Sequence, residues 1–257
     1  MLGPNGGQDI ILNDSSRWGL IPRTATYLMD TLNDMADDGI LSYEVKASFL
    51  QIYNENLYDL LRDNGRTIDG KSRTIKSSDD SRKDELKIRE IPRLNNRFRG
   101  SVPLDVFVSG LSEFRVLTSD DILRIVSIAT NNRVTKATDF NFTSSRSHAI
   151  LQLTFDIESR DDSGQTTIIR SKLNLVDLAG SEKIPFVMEA NNAKHMKELT
   201  SINKSLSSLG NVIAALSAKS SRSHIPYRDS KLTRLLQDCL SGNTRTILIA
   251  CVAPTKQ

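Results

Sequence analysis

The chain has 257 residues, 38% of them hydrophobic and 25% charged, with a formal net charge of +3. That balance is ordinary for a globular protein, and the length allows one large domain or two small ones with a sizeable core. The small net charge means that any basic binding face must be local; no apolar run is long enough to span a membrane, and the opening residues do not read as a signal peptide.

The chain opens Met1-Leu2-Gly3-Pro4-Asn5-Gly6-Gly7. A phosphate-cradling loop needs G-x-x-x-x-G-K-[ST], and no stretch of the sequence matches it. Gly19-Leu20-Ile21-Pro22-Arg23 opens a helix: Pro22 suits its first turn, and Ile21, Ala25, Leu28, Leu32 and Met35 keep one apolar face. Residues 43–53 read as a strand and 54–61 as a short helical turn. Residues 62–85 are polar and charged, with almost no large apolar side chain, which predicts a solvated, mobile surface loop. A strand is expected over 86–90, an exposed basic hairpin with Arg93, Arg97 and Arg99 over 92–103, and another strand end over 106–111.

Ser119-Asp120-Asp121 forms a cap-like start, and Ile122, Leu123, Ile125, Val126 and Ile128 continue as a buried helix ending near Arg133. Residues 149–157 read as a strand, 161–164 as a turn, and 168–176 as a returning, buried strand. Residues 198–216 are predicted as an amphipathic helix. Its apolar stripe is Leu199, Ile202, Leu206, Leu209, Ile213 and Leu216, with Lys204 on the polar face. A basic, Ser-rich loop follows over 219–223. Asp229 or Ser230 caps a last helix through Leu232, Leu235, Leu236 and Cys239, closed near Gly242, and 246–252 reads as a final buried strand. Cys239 and Cys251 make no disulfide framework and are expected as buried free thiols in a reducing compartment. His148, His195 and His224 lack the spacing of a zinc site.

The strand ending Leu175-Val176-Asp177, with Gly180 three residues on, carries chemistry. An Asp at the carboxyl end of a strand in an α/β sheet sits where ligands bind and can hold a Mg²⁺. A Gly just beyond can bring its N–H close to a phosphate. By itself D-x-x-G also makes ordinary turns. Here it stands in a series: N-x-x-S-S-R-S-H at 141–148, D-L-A-G-S-E at 177–182, I-N-K-S-L-S-x-L-G-N at 202–211 and H-x-P-Y-R-D-S-K-L-T-R at 224–234. Together, and in that order, these resemble the kinesin motor domain from about Gly19 onward.

The resemblance implies an α/β, P-loop-NTPase-like core: a mostly parallel central sheet flanked by helices on both faces, with the first strands missing. Residues 1–257 would be a partial motor domain, from just after the P-loop to the last core strand, because Met1-Leu2-Gly3 looks like the tail of that loop. The rival expectation is a domain that has lost its phosphate cradle. Either way the 257 residues are expected to hydrolyse ATP poorly alone. Strand 246–252 would lack neighbours, so the chain would be poorly stable.

By the same resemblance Asp177 and Ser145 would hold Mg²⁺, and Gly180 would sense the γ-phosphate of ATP. Ser144 would orient the attacking water, and Asn141 would lie in the nucleotide site. Arg146 and Glu182 would pair across the two switches. Asn203 would begin a relay to the track-binding helix, while Lys204, Arg222, His224, Arg228, Lys231 and Arg234 would lie on or near a microtubule-facing surface; the basic segment 92–103 would either touch the microtubule as well or be no more than an exposed hairpin. The partner implied is tubulin in the cytoplasmic cytoskeleton, with neither nucleic acid nor membrane, and with oligomeric state set outside this chain. Two departures stand out: Thr130 replaces the usual Gly, and 183–192 lacks the usual Gly and gains apolar residues. Two other function classes compete with an ATP-driven motor. One is a nucleotide-independent microtubule-binding module, and the other is an unrelated switch NTPase, against which the tubulin-face motifs argue.

Overall fold

The computed structural model describes residues 1, 17–37, 40–62, 86–92, 104–140, 144–160, 164–181, 193–218, 224–242 and 244–251. The elements in chain order are α1 (Leu20–Asp37), β1 (Ile40–Tyr53), β2 (Asn56–Asp59), β3 (Lys87–Pro92), β4 (Leu104–Ser109), β5 (Phe114–Val116), α2 (Ser119–Phe140), β6 (His148–Arg160), β7 (Thr166–Asp177), α3 (Ala193–Ser217), α4 (Lys231–Leu235) and α5 (Gln237–Leu240). They fall into two compact units, Met1–Leu86 with Gly110–Asn203, and Lys87–Ser109 with Lys204–Gln257. The loop expected over 62–85 lies outside the described residues apart from Arg62, and so does the basic hairpin expected over 92–103 apart from Pro92.

The first unit is built on a sheet in the order β2-β1-β6-β7, with β5 also paired to β1. Alternation puts Val45, Ala47 and Phe49 of β1 opposite Phe155, Leu153 and Leu151 of β6, and Leu151 and Leu153 opposite Leu175 and Leu173 of β7. That row of apolar side chains is one face. Against it pack Ile21, Ala25, Met29 and Leu32 of α1 and Ile122, Ile125, Val126 and Ala129 of α2, giving a single core. Two periodicities, 2 in the strands and 3.6 in the helices, meet there; on α1, however, Met29 is buried while Met35, expected on the apolar face, is 41% exposed. On the other face Ser48, Leu50, Ile52 and Ile150 are buried as well.

The α/β class holds, but the expected mostly parallel pairing does not describe these strands: every described pair is antiparallel. For the β1–β2 and β6–β7 pairs the reason is local. The connection between β6 and β7 is too short for the crossover that a parallel pair requires. Residues 54–61 are a hairpin and not a helical turn. Asn54 and Glu55 both have positive φ, 47° and 56°, and Tyr53 pairs directly with Asn56. This is the two-residue geometry of a tight hairpin, adopted without the glycine that usually announces it. Asp59 ends β2 and is buried. Its carboxylate accepts the Leu61 N–H at 2.9 Å and the Ser112 N–H at 2.8 Å. Thr130, on α2, returns its hydroxyl to the Val126 carbonyl at 2.8 Å. α2 runs on to Phe140, past the end expected near Arg133. β7 is a buried strand only toward its carboxyl end. Residues 166–171 are exposed, with Ile168 67% and Ile169 53% accessible.

In the second unit β3 and β4 form an antiparallel hairpin. Asp238 of α5 is buried and accepts the Val106 N–H of β4 at 2.9 Å. Ser230 caps α4 in a full capping box with Thr233: its hydroxyl accepts the Thr233 N–H at 3.1 Å, and the Thr233 hydroxyl accepts the Ser230 N–H at 3.2 Å. Ser230→Ala is expected to cost about 1 kcal/mol, as loss of an N-cap does. A shift of the urea midpoint at unchanged slope is the measurement, and a Ser230→Asn variant should recover most of it.

α3 is a helix as predicted, but its buried side differs. Ser205, Ser208, Leu209, Val212 and Ala215 are buried, while Ile213 and Leu216 are 40% and 39% exposed. A helix buries whatever its neighbours cover, and serine can hide its hydroxyl against the preceding turn. The predicted stripe therefore fails beyond Leu209. The expected last strand is also overturned. Residues 246–251 form no strand, and Ile247, Leu248 and Ile249 are 84%, 73% and 65% exposed. An apolar run becomes a strand only when a neighbour supplies the ladder hydrogen bonds, and among the described residues none does. Cys251 is exposed and Cys239 half-buried, so neither is the buried thiol expected.

Candidate functional site

The site grows from the register of β6 against β7. Ala149 pairs with Asp177, so the amino end of β6 meets the carboxyl end of β7. The chain enters β6 through a 3-10 turn at Ser144–Arg146, and it leaves β7 into Leu178-Ala179-Gly180. Antiparallel pairing thus brings two sequence-distant motifs to one sheet edge.

Backbone groups fasten them together. The Gly180 N–H donates to the Ser145 carbonyl at 2.8 Å. The Ala179 N–H donates to Nδ1 of His148 at 3.0 Å. His148 is therefore a neutral acceptor there. Its pKa is lowered from 6.5 to about 4, first because burial disfavours the charged ring and next because Arg133 is positive, with Asp177 opposing.

Arg133 joins the same edge from α2. Its Nη1 lies 3.3 Å from Oδ2 of Asp177. Its Nη2 donates to the Ser147 carbonyl at 2.9 Å and to the Ser147 Oγ at 3.1 Å. Ser147 is fully buried, and its Oγ also accepts from Nε2 of Gln51, on β1, at 2.8 Å. Side chains from β1, α2, β6 and β7 therefore converge around one serine and one carboxylate.

Of the residues expected at a nucleotide site, the structure brings Ser144, Ser145, Arg146, Asp177 and Gly180 to this edge. Ser145 is exposed, Arg146 half-buried, and the Asp177 side chain 51% exposed. Asn141 and Glu182 lie outside the described residues, and with Glu182 the expected pair to Arg146. Sequence reasoning missed Arg133, Gln51 and the anchoring role of His148. Arg133 carries no local signal beyond standing on the helix that leads into the 3-10 turn.

The oxygen donors here suit a hard cation. Magnesium is usually held by one or two carboxylates together with water and phosphate oxygens, not by an all-protein cage. An accessible Asp177 carboxylate near Ser145 fits that habit. Among the described residues there is no group of three or more His, Cys, Asp or Glu that could hold a metal by itself. A bound Mg²⁺ would supply charge neutralisation to a nucleotide's phosphates. The chain's own residues would position that metal and present the Gly180 N–H.

The residues expected to face a track divide differently. Asn203, on α3, is half-buried and Lys204 exposed. In the second unit His224 and Arg228 are exposed, while Lys231 and Arg234 are half-buried. Arg234 Nε lies 2.7 Å from Oε1 of Glu90, and Arg228 Nη2 lies 3.2 Å from its Oε2. The hydrogen bond from Arg234 is the largest cause holding the Glu90 carboxyl below the ordinary carboxylate range, assisted by Arg228. Glu90 is the residue that sequence reasoning did not anticipate there. Arg222 lies outside the described residues.

A family model described as the kinesin motor domain matches residues 1–257. The chain is 38% identical over 236 residues to Kinesin-related protein 5 of Dictyostelium discoideum, covering 92% of this chain and 20% of that protein. Among solved structures it resembles a fast kinesin, with a TM-score of 0.66 and 32% identity over 92% of this chain and 55% of that one. It also resembles the motor domain of the Saccharomyces cerevisiae kinesin-like protein KAR3, with a TM-score of 0.63 and 30% identity over 95% of this chain and 64% of that one. The chain therefore spans about a fifth of the length of the curated relative and over half of each solved structure.

Proposed function

This chain belongs to the kinesin motor domain family, and from that premise we propose that it binds microtubules and couples ATP and Mg²⁺ at the β6–β7 edge to that binding. The observation that carries the reading is the junction of the two switch motifs, closed by the 2.8 Å bond from the Gly180 N–H to the Ser145 carbonyl. A peptide bond's N–H is a sensor when breaking or remaking one short contact moves two segments together. Asp177 and Ser145 would hold the metal, Ser144 the attacking water, and Gly180 the terminal phosphate. Asn141, Arg146 and Glu182 complete the proposed nucleotide side.

Tubulin is acidic, so exposed cations steer and hold it, and salt weakens both effects. Lys204, His224 and Lys231 are the proposed contacts. Arg228 and Arg234 contribute less, since each shares Glu90. Asn203 would pass the switch state to α3. Action on the cytoskeleton follows from this reading. Among the described residues no helix is long and apolar enough to cross a membrane.

A second reading, a nucleotide-independent microtubule-binding module, is favoured by one observation. The Gly180 N–H and the Asp177 carboxylate are both already engaged within the chain, by Ser145 and Arg133.

Co-sedimentation of the 257-residue chain with microtubules separates the readings, run with ADP, with a non-hydrolysable ATP analogue and without nucleotide. The motor reading expects affinity to change with nucleotide, and the module reading expects equal pelleting in all three. Under both, the Lys204→Glu/Lys231→Glu double variant should bind about tenfold more weakly, or roughly 1.4 kcal/mol. Added salt should narrow the difference. No pelleting at low salt would sink both readings.

A further inference from the structure

We propose that residues 246–251 are an interaction surface for a second copy of this chain, with which they pair as antiparallel β-strands. The run Thr246-Ile247-Leu248-Ile249-Ala250-Cys251 holds no charge, no proline and no glycine. That is the composition of a strand that pairs readily with its own kind. Among the described residues it belongs to no sheet. Every residue of the run is exposed, Ile247 by 84%, Leu248 by 73% and Ile249 by 65%. Its root is nonetheless fixed. The Thr244 hydroxyl donates to the Asp238 carbonyl at 3.3 Å, and the Thr246 hydroxyl to the Cys239 carbonyl at 2.5 Å. The run therefore leaves the end of α5 in a set direction, and part of the ordering that pairing requires is already made.

Charge and register select the second copy. The run is uncharged, so like meets like without repulsion, and a net charge of +3 adds little between copies. The flanking cation is Arg245, which is exposed. A parallel, in-register pair would stack Arg245 on its own copy, whereas an antiparallel pair sends the two to opposite ends. Full antiparallel overlap puts Thr246 opposite the partner's Cys251, Ile247 opposite the partner's Ala250, and Leu248 opposite the partner's Ile249. Alternation then gives both faces of the ribbon the same set, one Leu and two Ile with Thr, Ala and Cys beside them. The contact is small. It involves a single short strand from each copy, against roughly 20–30 residues a side in a stable interface, and a two-stranded ribbon is marginal alone. The association is therefore weak, with a Kd on the order of 100 μM.

The test is sedimentation of the 257-residue chain at concentrations on either side of about 100 μM, with circular dichroism melts of every variant. The weight-average mass should rise from monomer towards dimer. Leu248→Lys adds a charge and Leu248→Pro removes a ladder N–H, and each should weaken association by about tenfold or more. Because Leu248 is exposed, both melts should match the parent. Disulfides read the register in a Cys239→Ser/Cys251→Ser background. Leu248→Cys protein mixed with Ile249→Cys protein should form a mixed disulfide on oxidation, since those positions share a face. Leu248→Cys protein alone should form none, since its two copies lie on opposite faces. A monomer at every concentration overturns the proposal, and so does a dimer that survives both Leu248 variants. Crosslinking by Leu248→Cys alone, or no mixed disulfide in a sample that sediments as a dimer, overturns the antiparallel pairing.

Discussion

Acidification from pH 6.5 to pH 4 should remove about 3 kcal/mol of stability through His148 alone. In the unfolded chain His148 takes its proton near 6.5. In the folded chain it resists until about 4, because the ring is buried, faces the Arg133 charge, and lends its Nδ1 lone pair to the Ala179 N–H. Between those values the unfolded state binds more protons, so stability falls as pH falls. The contribution is fully present above about 6.5 and fully lost below about 4. Urea unfolding at several pH values across this window would show the slope. His148→Asn, with an acceptor oxygen available for the Ala179 N–H, should lower stability at neutral pH and flatten the dependence. Carboxylates held low by their partners, such as Glu90, Asp121 and Asp156, add their own loss only in the more acidic range. An unchanged slope in His148→Asn would refute the assignment. Protonation would also break the bond from the Ala179 N–H to the His148 ring, in the segment that follows Asp177.

Asp59→Ala should destabilise the first unit by about 3 kcal/mol. Asp59 is 6% exposed and accepts two backbone N–H groups, from Leu61 and Ser112. Removing it leaves both donors short of a partner, and each buried unsatisfied group costs roughly 1–3 kcal/mol. The two bonds tie the end of β2 to the segment that leads into β5, so the loss should be felt across the sheet edge. Asp59→Asn keeps one acceptor oxygen and should cost clearly less. A midpoint shift equivalent to less than about 1 kcal/mol in Asp59→Ala would show that these N–H groups find other acceptors.

Much of the architecture was legible beforehand. The helix opened by Pro22, the alternating strand through Val45, Ala47 and Phe49, and the Ser230 cap are local patterns, and local patterns survive into the fold because they state which face must be covered. The candidate site was half legible. Asp177, Gly180, Ser144 and Ser145 stand in recognisable motifs, and the antiparallel register brings them together. Gln51, Arg133 and His148 do not announce themselves, because their roles depend on what lies across the sheet. The errors have the same origin. The exposed run at Ile247–Ile249 reads as a buried strand by composition, yet a strand needs a partner. The Asn54-Glu55 hairpin adopts positive φ without glycine because the pairing of β1 with β2 demands it.

The sequence by itself determined the family, the motif order, the apolar face of β1, most of that of α1 and the Ser230 cap, since each depends on neighbours within a few residues or on spacing along one element. The tertiary structure decided which groups satisfy which. Arg133 lies on Asp177, Glu90 binds Arg228 and Arg234, Ser145 accepts from Gly180, and α3 buries its serines while its late isoleucine and leucine stay accessible. Those outcomes turn on distance and desolvation between residues far apart in the chain, and a charge or a hydrogen-bonding group takes the partner that folding places within about 3 Å of it.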